Sequence, residues 1–302
     1  MNNIKPKSVN KNSTIGFLTI SGPVSDLKKI DMAKDFFNKK GYNTTISNTT
    51  YTQKDFLAAD DKTRLNQLHS FFENKDIDAI LFTRGGYGAT RLLEKIDYNL
   101  IRKNPKFIGG YSDATALLNT ITTKCNLITY HSPMPYNDFS SAIMSDTTIN
   151  SFFKALNGET FCTNLTGKIY KEGHAQGILI GGNLTTLASM IGFDFLPNEK
   201  FILFIEDINE PAYKIDRYMT QLFFDKKFKK HICGIVLGAF SGLDNQKYFD
   251  NIFTELGTKT NIPIISGLKI GHVQEQITIP IGIKAKLDTK NATLYEIEYP
   301  NC

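Results

Sequence analysis

The chain has 302 residues, of which 41% are hydrophobic, 22% charged and 12% aromatic. This composition predicts a folded protein of about two domains and excludes disordered, collagen-like and coiled-coil proteins. The 35 basic and 30 acidic residues leave a net charge of +5, but only Lys226–Lys230 is a dense basic run; we interpret it as a helix end and expect no nucleic-acid partner.

We expect neither a membrane span nor an export signal. No stretch approaches the roughly 20 apolar residues that cross a bilayer, and the first 20 residues lack the apolar block of a signal peptide. The cysteines are Cys125, Cys162, Cys233 and Cys302. They form no CxxC pair, which fits a reducing compartment and argues against a structural zinc site. Cys125 and Cys233 have apolar neighbours and are interpreted as core residues.

Strand and helix signals alternate through the first 130 residues. Strands are expected at Thr14–Ile20, Asn43–Ile46, Ala79–Phe82 and from Phe107. Helices are expected from the Asp26 cap to Lys40, at Lys62–Phe72, after the loop Arg84–Gly88, and along the apolar stripe Ala114, Leu117, Leu118 and Ile121. Such alternation predicts a parallel sheet covered by helices, with functional sites at the carboxyl ends of its strands.

The pattern blurs between Tyr136 and Lys168, although Ile149–Leu156 is compatible with a short helix. A second α/β region follows. Its expected strands are Gly177–Ile180, Phe201–Ile205, Gly234–Ala239, Ile262–Ser266, Ile281–Leu287 and Thr293–Tyr299, and its expected helices are Leu184–Ile191, Tyr213–Phe224 and Tyr248–Leu256. The predicted domains are therefore residues 1–140 and 169–302, joined by a linker over residues 141–168.

The sharpest local motif is the turn that contains Ser112, between a predicted strand and a predicted helix. Small residues on either side of a serine, here Gly110 and Ala114, are typical of a nucleophile elbow, in which the hydroxyl projects outward. The amide N–H groups at the start of the following helix can bind an oxyanion in the same space. Alternatively, Ser112 only caps a helix that begins at Asp113.

A nucleophilic serine needs a base and a group that orients the base. The candidate bases are His69, His131, His174, His231 and His272. His272 lies on a loop after a predicted buried strand, which suits a base. His69 and His231 are interpreted as helix residues, and spacing does not decide the other two. Glu206 directly follows five apolar residues of a buried strand, so it is either a functional acid or a cap of the next element.

The loop Arg84–Gly88 contains three glycines after a predicted strand. A dinucleotide-binding interpretation fails, because the third glycine of GxGxxG would fall at Arg91. The loop suits backbone N–H groups that approach a substrate carbonyl, and Arg84 is suited to grip a carboxylate. Walker A, HExxH and EF-hand patterns are absent from the sequence, so we expect neither a metal nor an organic cofactor.

At these residues the sequence resembles the LD-carboxypeptidases, the serine peptidases that trim murein tetrapeptides. The matching segments follow the family order over nearly the whole chain, roughly Ile15 to Ile297. They are Arg84–Gly88 with Arg91–Leu93, Asn104–Lys106, Gly110–Asp113, His131–Met134, Gly181–Leu184, Phe204–Asp207 with Tyr213 and Ile215–Arg217, and Gly271–His272 with Pro280–Gly282. The resemblance implies that the catalytic triad is Ser112, Glu206 and His272.

The resemblance also implies a fold and an assembly. The expected fold is α/β, with an N-terminal flavodoxin-like parallel-sheet domain, similar to class I amidotransferases, and a smaller C-terminal α/β domain. The expected protein is a cytoplasmic homodimer with its site between the two domains. We expect the N–H groups of Asp113 and Gly86 to bind the oxyanion, and we assign Arg84 to the product-side carboxylate.

The expected reaction is hydrolysis of the amide between a diamino acid and a terminal D-alanine, with a murein peptide as substrate. The microcin-immunity branch of the family, which cleaves peptide–nucleotide conjugates, typically has a different loop in place of Arg84–Gly88. Two departures bear on substrate preference: Ser132 replaces a usual glycine, and Val273–Gln276 is atypical after the histidine. A catalytically silent peptide-binding protein and a metal-dependent amidase are the alternatives from other classes.

Overall fold

The computed structural model describes residues 3–297, which form two units. The first unit comprises the residues up to Glu159 together with Gln274–Pro280, and the second comprises Thr160–Val273 and the residues from Ile281 onward. Cys302 and the end of the run predicted to Tyr299 lie outside the described residues.

Strands and helices alternate along both units. The strands are β1 (Thr14–Leu18), β2 (Asn43–Ile46), β3 (Ala79–Phe82), β4 (Phe107–Gly110), β5 (Thr129–His131), β6 (Cys162–Asn164), β7 (Ile169–Lys171), β8 (His174–Asn183), β9 (Phe201–Ile208), β10 (Ile232–Ser241), β11 (Ile264–Ser266), β12 (Ile279–Ile281), β13 (Lys284–Asp288) and β14 (Thr293–Glu296). The α-helices are α1 (Leu27–Lys39), α2 (Asp61–Glu73), α3 (Tyr98–Lys103), α4 (Thr115–Cys125), α5 (Asp146–Leu156), α6 (Leu184–Ser189), α7 (Ala212–Phe224), α8 (Lys226–His231) and α9 (Gln246–Thr260).

The first unit is built on a sheet with the strand order β12-β5-β4-β3-β1-β2 among the described residues. The pairs from β2 to β5 are parallel, and the order 2-1-3-4-5 is that of flavodoxin-like folds. Strands β3 and β4 are buried throughout, as expected for parallel strands covered on both faces. The predicted α/β class and N-terminal parallel sheet are confirmed.

Local chemistry explains why the predicted helices form where they do. Asp26 caps α1 by accepting a hydrogen bond from the Lys28 N–H, and Ile30, Ala33 and Phe37 bury one face of the helix. The helix expected after the glycine-rich loop is a single 3₁₀ segment, Thr90–Lys95, which buries Leu92 and Leu93. Its apolar residues are too few for a longer amphipathic helix.

The units differ from the predicted domains in two places. Helix α5 lies inside the predicted linker but belongs to the first unit, where it buries Phe152 and Leu156. Residues 274–280, which follow most of the second unit in the chain, belong to the first unit. The polar composition of residues 141–168 predicts a linker, whereas Phe152 and Phe153 of α5 pack against Phe37 and Tyr42 of the first unit.

The second unit is built on a mixed sheet with the order β6-β14-β13-β8-β9-β10-β11-β7 among the described residues. Its central strands β8, β9, β10 and β11 are parallel, and the pairs at both edges are antiparallel. The basic run is a separate short helix, α8, which Asp225 caps; we had expected only a helix end. No helix among residues 3–297 combines the length and the apolar character needed to span a bilayer.

Candidate active site

Ser112 lies at the carboxyl end of a central strand of the first sheet. It follows β4 after Tyr111 and begins one turn of 3₁₀ helix that leads into α4. Its φ is +62°, an uncommon value for a residue other than glycine and a common one at functional turns. The N-cap of α4 is Ala114, so Ser112 does not have the capping position that we considered as the alternative. The backbone has the strained form of a nucleophile elbow.

The loop after β3 packs directly against this serine. A Cβ atom on Gly85 would lie 2.7 Å from Ser112 Oγ, so only glycine fits there. Gly86 has a φ of +123°, and a Cβ on it would lie 2.9 Å from the backbone nitrogen of Gly22. The Gly22 N–H also donates to the Gly85 carbonyl at 3.2 Å. The two glycines therefore bring the loop backbone next to Ser112.

Asp113, selected from the sequence for its backbone N–H, also has a buried carboxylate. Its Oδ2 accepts hydrogen bonds from the Ser21 hydroxyl at 2.6 Å and from the Ala89 N–H at 2.9 Å. Burial raises the pKa of the Asp113 carboxyl, while these bonds and the Arg64 cation oppose the shift. The sequence pattern pointed to neither Ser21 nor Arg64, because the contacts join residues far apart in the chain.

Arg84 is held at the start of the glycine-rich loop. Its Nη1 donates to the Pro23 carbonyl at 2.6 Å, and its guanidinium lies 5.2 Å from the centre of the Tyr136 ring. The Nε atom is buried and has no hydrogen-bond partner among the described residues. Tyr136 in turn shares a 2.8 Å hydrogen bond with Ser25. The Pro23 carbonyl and the Tyr136 ring therefore fix the position of the Arg84 guanidinium.

Glu206 and His272 form a hydrogen-bonded pair in the second unit. Glu206, on β9, is fully buried, and its Oε2 lies 2.9 Å from Nδ1 of His272. Because a carboxylate accepts, Nδ1 carries the proton, and Nε2 is the ring nitrogen with a lone pair. Burial raises the pKa of the Glu206 carboxyl, and the histidine opposes the shift. The imidazole is about one-fifth exposed (19%), so it can meet solvent or substrate.

Glycine and a second acid support this pair. Gly271 has a φ of +119°, and a Cβ on it would lie 3.1 Å from Glu206 Oε2. Asp207, the next residue on β9, is also buried and accepts hydrogen bonds from Asn183 Nδ2 at 2.9 Å and from the backbone N–H and hydroxyl of Thr185 at 2.9 and 2.7 Å. The Asp207 carboxylate is thus occupied by hydrogen bonds from Asn183 and Thr185, whereas the Glu206 carboxylate faces the His272 imidazole.

The other histidines have different surroundings. His69 accepts from the Asp97 N–H at 3.0 Å, and His174 lies 3.4 Å from the carboxylate of Asp288. His231 ends α8, as predicted, and His131 is fully buried at the end of β5. Spacing in the sequence does not separate His131 and His174 from His272. His272 differs from His174 in that its carboxylate partner is fully buried and lies at 2.9 Å rather than 3.4 Å.

The remaining groups to consider are the cysteine thiols and possible metal ligands. Burial raises the pKa of the Cys125 and Cys233 thiols to about 11, which leaves little thiolate at neutral pH. Within the described part of the chain, no three His, Cys, Asp or Glu side chains are grouped as metal ligands would be. The first unit thus contains Ser112, Asp113, Gly86 and Arg84, and the second contains Glu206 and His272.

Comparisons with known proteins agree with these features. Residues 15–132 match the family model of the LD-carboxypeptidase N-terminal domain, and residues 176–287 match that of the C-terminal domain. A probable murein peptide carboxypeptidase of Bacillus subtilis (strain 168) is 34% identical over 303 residues, covering 96% of this chain and 93% of that protein.

Two solved structures are similar over their full length. The MccFlike protein from Bacillus anthracis str. Ames superposes with a TM-score of 0.90 at 27% identity, covering 98% of this chain and 100% of that one. A muramoyltetrapeptide carboxypeptidase from Oxalobacter formigenes superposes with a TM-score of 0.85 at 28% identity, covering 96% of this chain and 100% of that one.

Proposed function

Because the chain belongs to the LD-carboxypeptidase family, we propose that it is a serine carboxypeptidase that removes the terminal D-alanine from murein tetrapeptides. The observation that carries the proposal is the 2.9 Å hydrogen bond between His272 and the buried Glu206 carboxylate. A histidine oriented in this way is the base that a serine hydrolase requires. Ser112, on its strained turn, is the nucleophile.

The proposed reaction has two halves. His272 accepts the Ser112 proton at Nε2 while Oγ attacks the scissile carbonyl, and it then gives this proton to the leaving amine of D-alanine. Water next attacks the acyl-enzyme and gives its proton to His272, which returns a proton to Ser112 Oγ as the bond from Oγ to the acyl carbon breaks. Throughout, Glu206 keeps the proton of the neutral ring on Nδ1 and stabilises the imidazolium, and its burial strengthens this interaction.

Backbone groups near Ser112 are proposed to stabilise the oxyanion. The N–H of Asp113 follows the nucleophile at the start of the 3₁₀ turn, and the N–H of Gly86 belongs to the loop that contacts Ser112. Arg84 is proposed to bind the carboxylate of the terminal D-alanine, since a guanidinium held in place by the Pro23 carbonyl suits a carboxylate.

The test is release of D-alanine from a disaccharide-free tetrapeptide, followed by mass spectrometry. Ser112→Ala and His272→Ala should each lower turnover by roughly 10⁴-fold or more, with little effect on folding. Ser189→Ala, which changes an exposed serine of α6 that bonds only the Thr186 carbonyl, is the control and should retain full activity. Near-normal turnover by Ser112→Ala would refute the assignment.

The same assay separates the alternatives. A microcin-immunity-type peptidase would cleave an aminoacyl sulfamoyl adenosine in preference to the tetrapeptide, and the MccFlike similarity makes this comparison necessary. A metal-dependent amidase would lose activity to a chelator, whereas the serine mechanism should not. A silent binding protein would bind the tetrapeptide without turnover.

We further propose, from the family, a cytoplasmic homodimer that acts in peptidoglycan recycling or remodelling. Sedimentation equilibrium of the full chain tests the dimer, which should have twice the 34.0 kDa mass of one chain. A monomer at the concentrations used for the assay would contradict this part of the proposal and leave the reaction untouched.

A further inference from the structure

One carboxylate oxygen of Asp113 joins three loops at the carboxyl ends of adjacent strands. Asp113 follows β4, Ser21 follows β1 and Ala89 ends the loop after β3, and these three strands are neighbours in the sheet. Asp113 Oδ2 accepts from the Ser21 hydroxyl and from the Ala89 N–H. Only 7% of Asp113 is exposed, so its carboxylate belongs to the framework beneath the nucleophile.

Arg64, on α2, binds the residues that precede these two donors. Its fully buried guanidinium donates to the carbonyls of Ile20 and Gly88, the latter at 3.0 Å. Each of the dipeptides 20–21 and 88–89 therefore has two buried contacts. The carbonyl of its first residue accepts a hydrogen bond from Arg64, and its second residue donates one to the Asp113 carboxylate. The cation is paired with Asp61 at 2.7 Å, and the anion is stabilised by the hydrogen bonds from Ser21 and Ala89.

The loop held in this way touches the nucleophile. Its upstream part, Gly85–Gly86, is confined between Gly22 and Ser112 by the close approaches described above. Its downstream end is fixed by the bond from Ala89 to Asp113, the residue that follows Ser112. A displacement of Ala89 would therefore also move the four residues before it, which include the backbone that contacts Ser112.

We propose that the Asp113 carboxylate is a positioning group, which fixes the loop Gly85–Ala89 relative to the Ser112 turn and so aligns the N–H groups of Gly86 and Asp113 with the oxyanion. This inference rests on the proposed function, in which those two groups form the oxyanion hole. It adds a role for the side chain of Asp113 and for Ser21 beneath it. Misplacing reacting groups by about 1 Å costs roughly 10²-fold in rate, as does losing one oxyanion donor.

Three variants measure how much the hydrogen bonds of the Asp113 carboxylate contribute to kcat. Asp113→Ala removes both hydrogen bonds and should lower kcat roughly 10²-fold, and Ser21→Ala removes one and should lower it roughly 10-fold. KM should change by less than about 3-fold, because the groups that bind the ground state are retained. Asp113→Asn keeps an oxygen that can accept both bonds and should recover most of kcat.

Thr122→Val is the matched control for Ser21→Ala. Thr122 is another buried residue of the first unit, and its hydroxyl shares a 2.9 Å hydrogen bond with Thr129 away from the Ser112 turn. Removing this hydroxyl at constant side-chain volume should lower the melting temperature but leave kcat unchanged. If Asp113→Ala does not fold, the test is a comparison of kcat between Ser21→Ala and Thr122→Val, measured well below the melting temperatures of these two variants.

A second readout does not depend on the natural substrate. A fluorophosphonate forms a bond from phosphorus to Ser112 Oγ while fluoride leaves and the serine proton passes to the base. The second-order rate constant of this labelling should fall in Asp113→Ala and Ser21→Ala by about the same factor as kcat. A purely structural role would lower their melting temperatures and leave both rates at the values of Thr122→Val, which would overturn the proposal.

The two readouts distinguish failure of this inference from failure of the proposed function. If the wild-type protein is labelled at Ser112 but releases no D-alanine, the proposed function fails, and a slower labelling of Asp113→Ala still supports the positioning role. If the wild-type protein releases D-alanine and the variants match the control, the positioning role fails and the proposed function stands.

Discussion

At the residue scale, the decisive feature is how closely Gly85 approaches Ser112. The φ of Gly85 is not positive, so residues other than glycine can adopt its backbone conformation. What excludes a side chain is the Ser112 hydroxyl, 2.7 Å from the position of a Cβ. Glycine is thus required at position 85 because a side chain would collide with Ser112. At position 86 it is required also because the backbone has a positive φ.

Gly85→Ala should therefore displace the serine without straining the backbone. We expect kcat/KM to fall roughly 10²-fold, because a shift of about 1 Å in a reacting group has that effect. Gly192→Ala is the control, since its φ is +102° and a Cβ would meet nothing within 4 Å. That control should lose stability through strain but keep its activity, as measured by D-alanine release and thermal unfolding. Equal kcat/KM values for the two variants would contradict the interpretation.

At the element scale, α2 anchors the loops around the site. It provides Arg64 to the interior, while Asp61 in its first turn binds both Arg64 and Arg91 through bonds of 2.7–3.2 Å. At its other end, the Lys106 ammonium donates to the carbonyls of Phe71 and Asn74. Burial lowers the pKa of Lys106 to about 8. A helix that looks merely amphipathic in sequence thus has charged groups fixed at both ends.

Acid should weaken this anchor in a defined pH range. Hydrogen bonds from Arg91, then Arg64, lower the pKa of Asp61 to about 2, below its ordinary value of 3.8. A carboxyl whose pKa is lowered by folding adds stability above its unfolded pKa and loses it as the pH falls through its folded pKa. The free energy of unfolding should therefore exceed that of Asp61→Asn by on the order of 1 kcal/mol above pH 4.

Urea titrations between pH 2 and pH 6 measure this difference. It should be constant above about pH 4 and shrink steadily towards pH 2. Asp31→Asn is the control, because Asp31 is exposed and lies 3.9 Å from Lys34; it should follow the wild type throughout. A difference between wild type and Asp61→Asn that does not change with pH would contradict the role of the carboxylate charge.

At the scale of the whole molecule, the chain leaves the first unit at Glu159 and returns to it at Gln274. The returning segment is tied down by hydrogen bonds from the Gln276 N–H to Thr148 Oγ1 and from the Thr278 N–H to Ser151 Oγ, at 3.0 and 2.9 Å. Gln276 Nε2 also donates to Asp138 at 3.0 Å. This segment directly follows the loop of His272, and Gln276, one of the residues that depart from the family pattern, makes two of its hydrogen bonds.

Gln276→Ala should destabilise the protein by about 1–3 kcal/mol, since it removes the hydrogen bond from the buried Gln276 side chain to the half-buried Asp138 carboxylate. Gln274→Ala, at an exposed position of the same segment, should stay within about 0.5 kcal/mol of the wild type. Urea denaturation of the full chain measures both values. Similar effects for the two variants would mean that the segment is not anchored through Gln276.

The sequence determined much of this fold because its signals are local. Helix α1 was predicted from one cap, one apolar stripe and one terminal glycine, all within sixteen residues, and β3 and β9 from unbroken apolar runs. The fold class and the LD-carboxypeptidase family followed from such signals and from motifs in order. The sequence of α5 is compatible with a short helix, but its place in the first unit depends on contacts with residues distant in sequence, such as Phe37 and Phe107.

Tertiary structure alone decided which polar residues meet. Nothing in the spacing of Asp113, Ser21, Ala89 and Arg64 predicts that they form one buried network, because parallel strands bring together residues that follow them across long crossover connections. The roles of adjacent acids were likewise settled by geometry: Asp207 is used by framework donors and Glu206 faces the imidazole. A hydrogen bond depends on distance and direction in space, and sequence separation specifies neither.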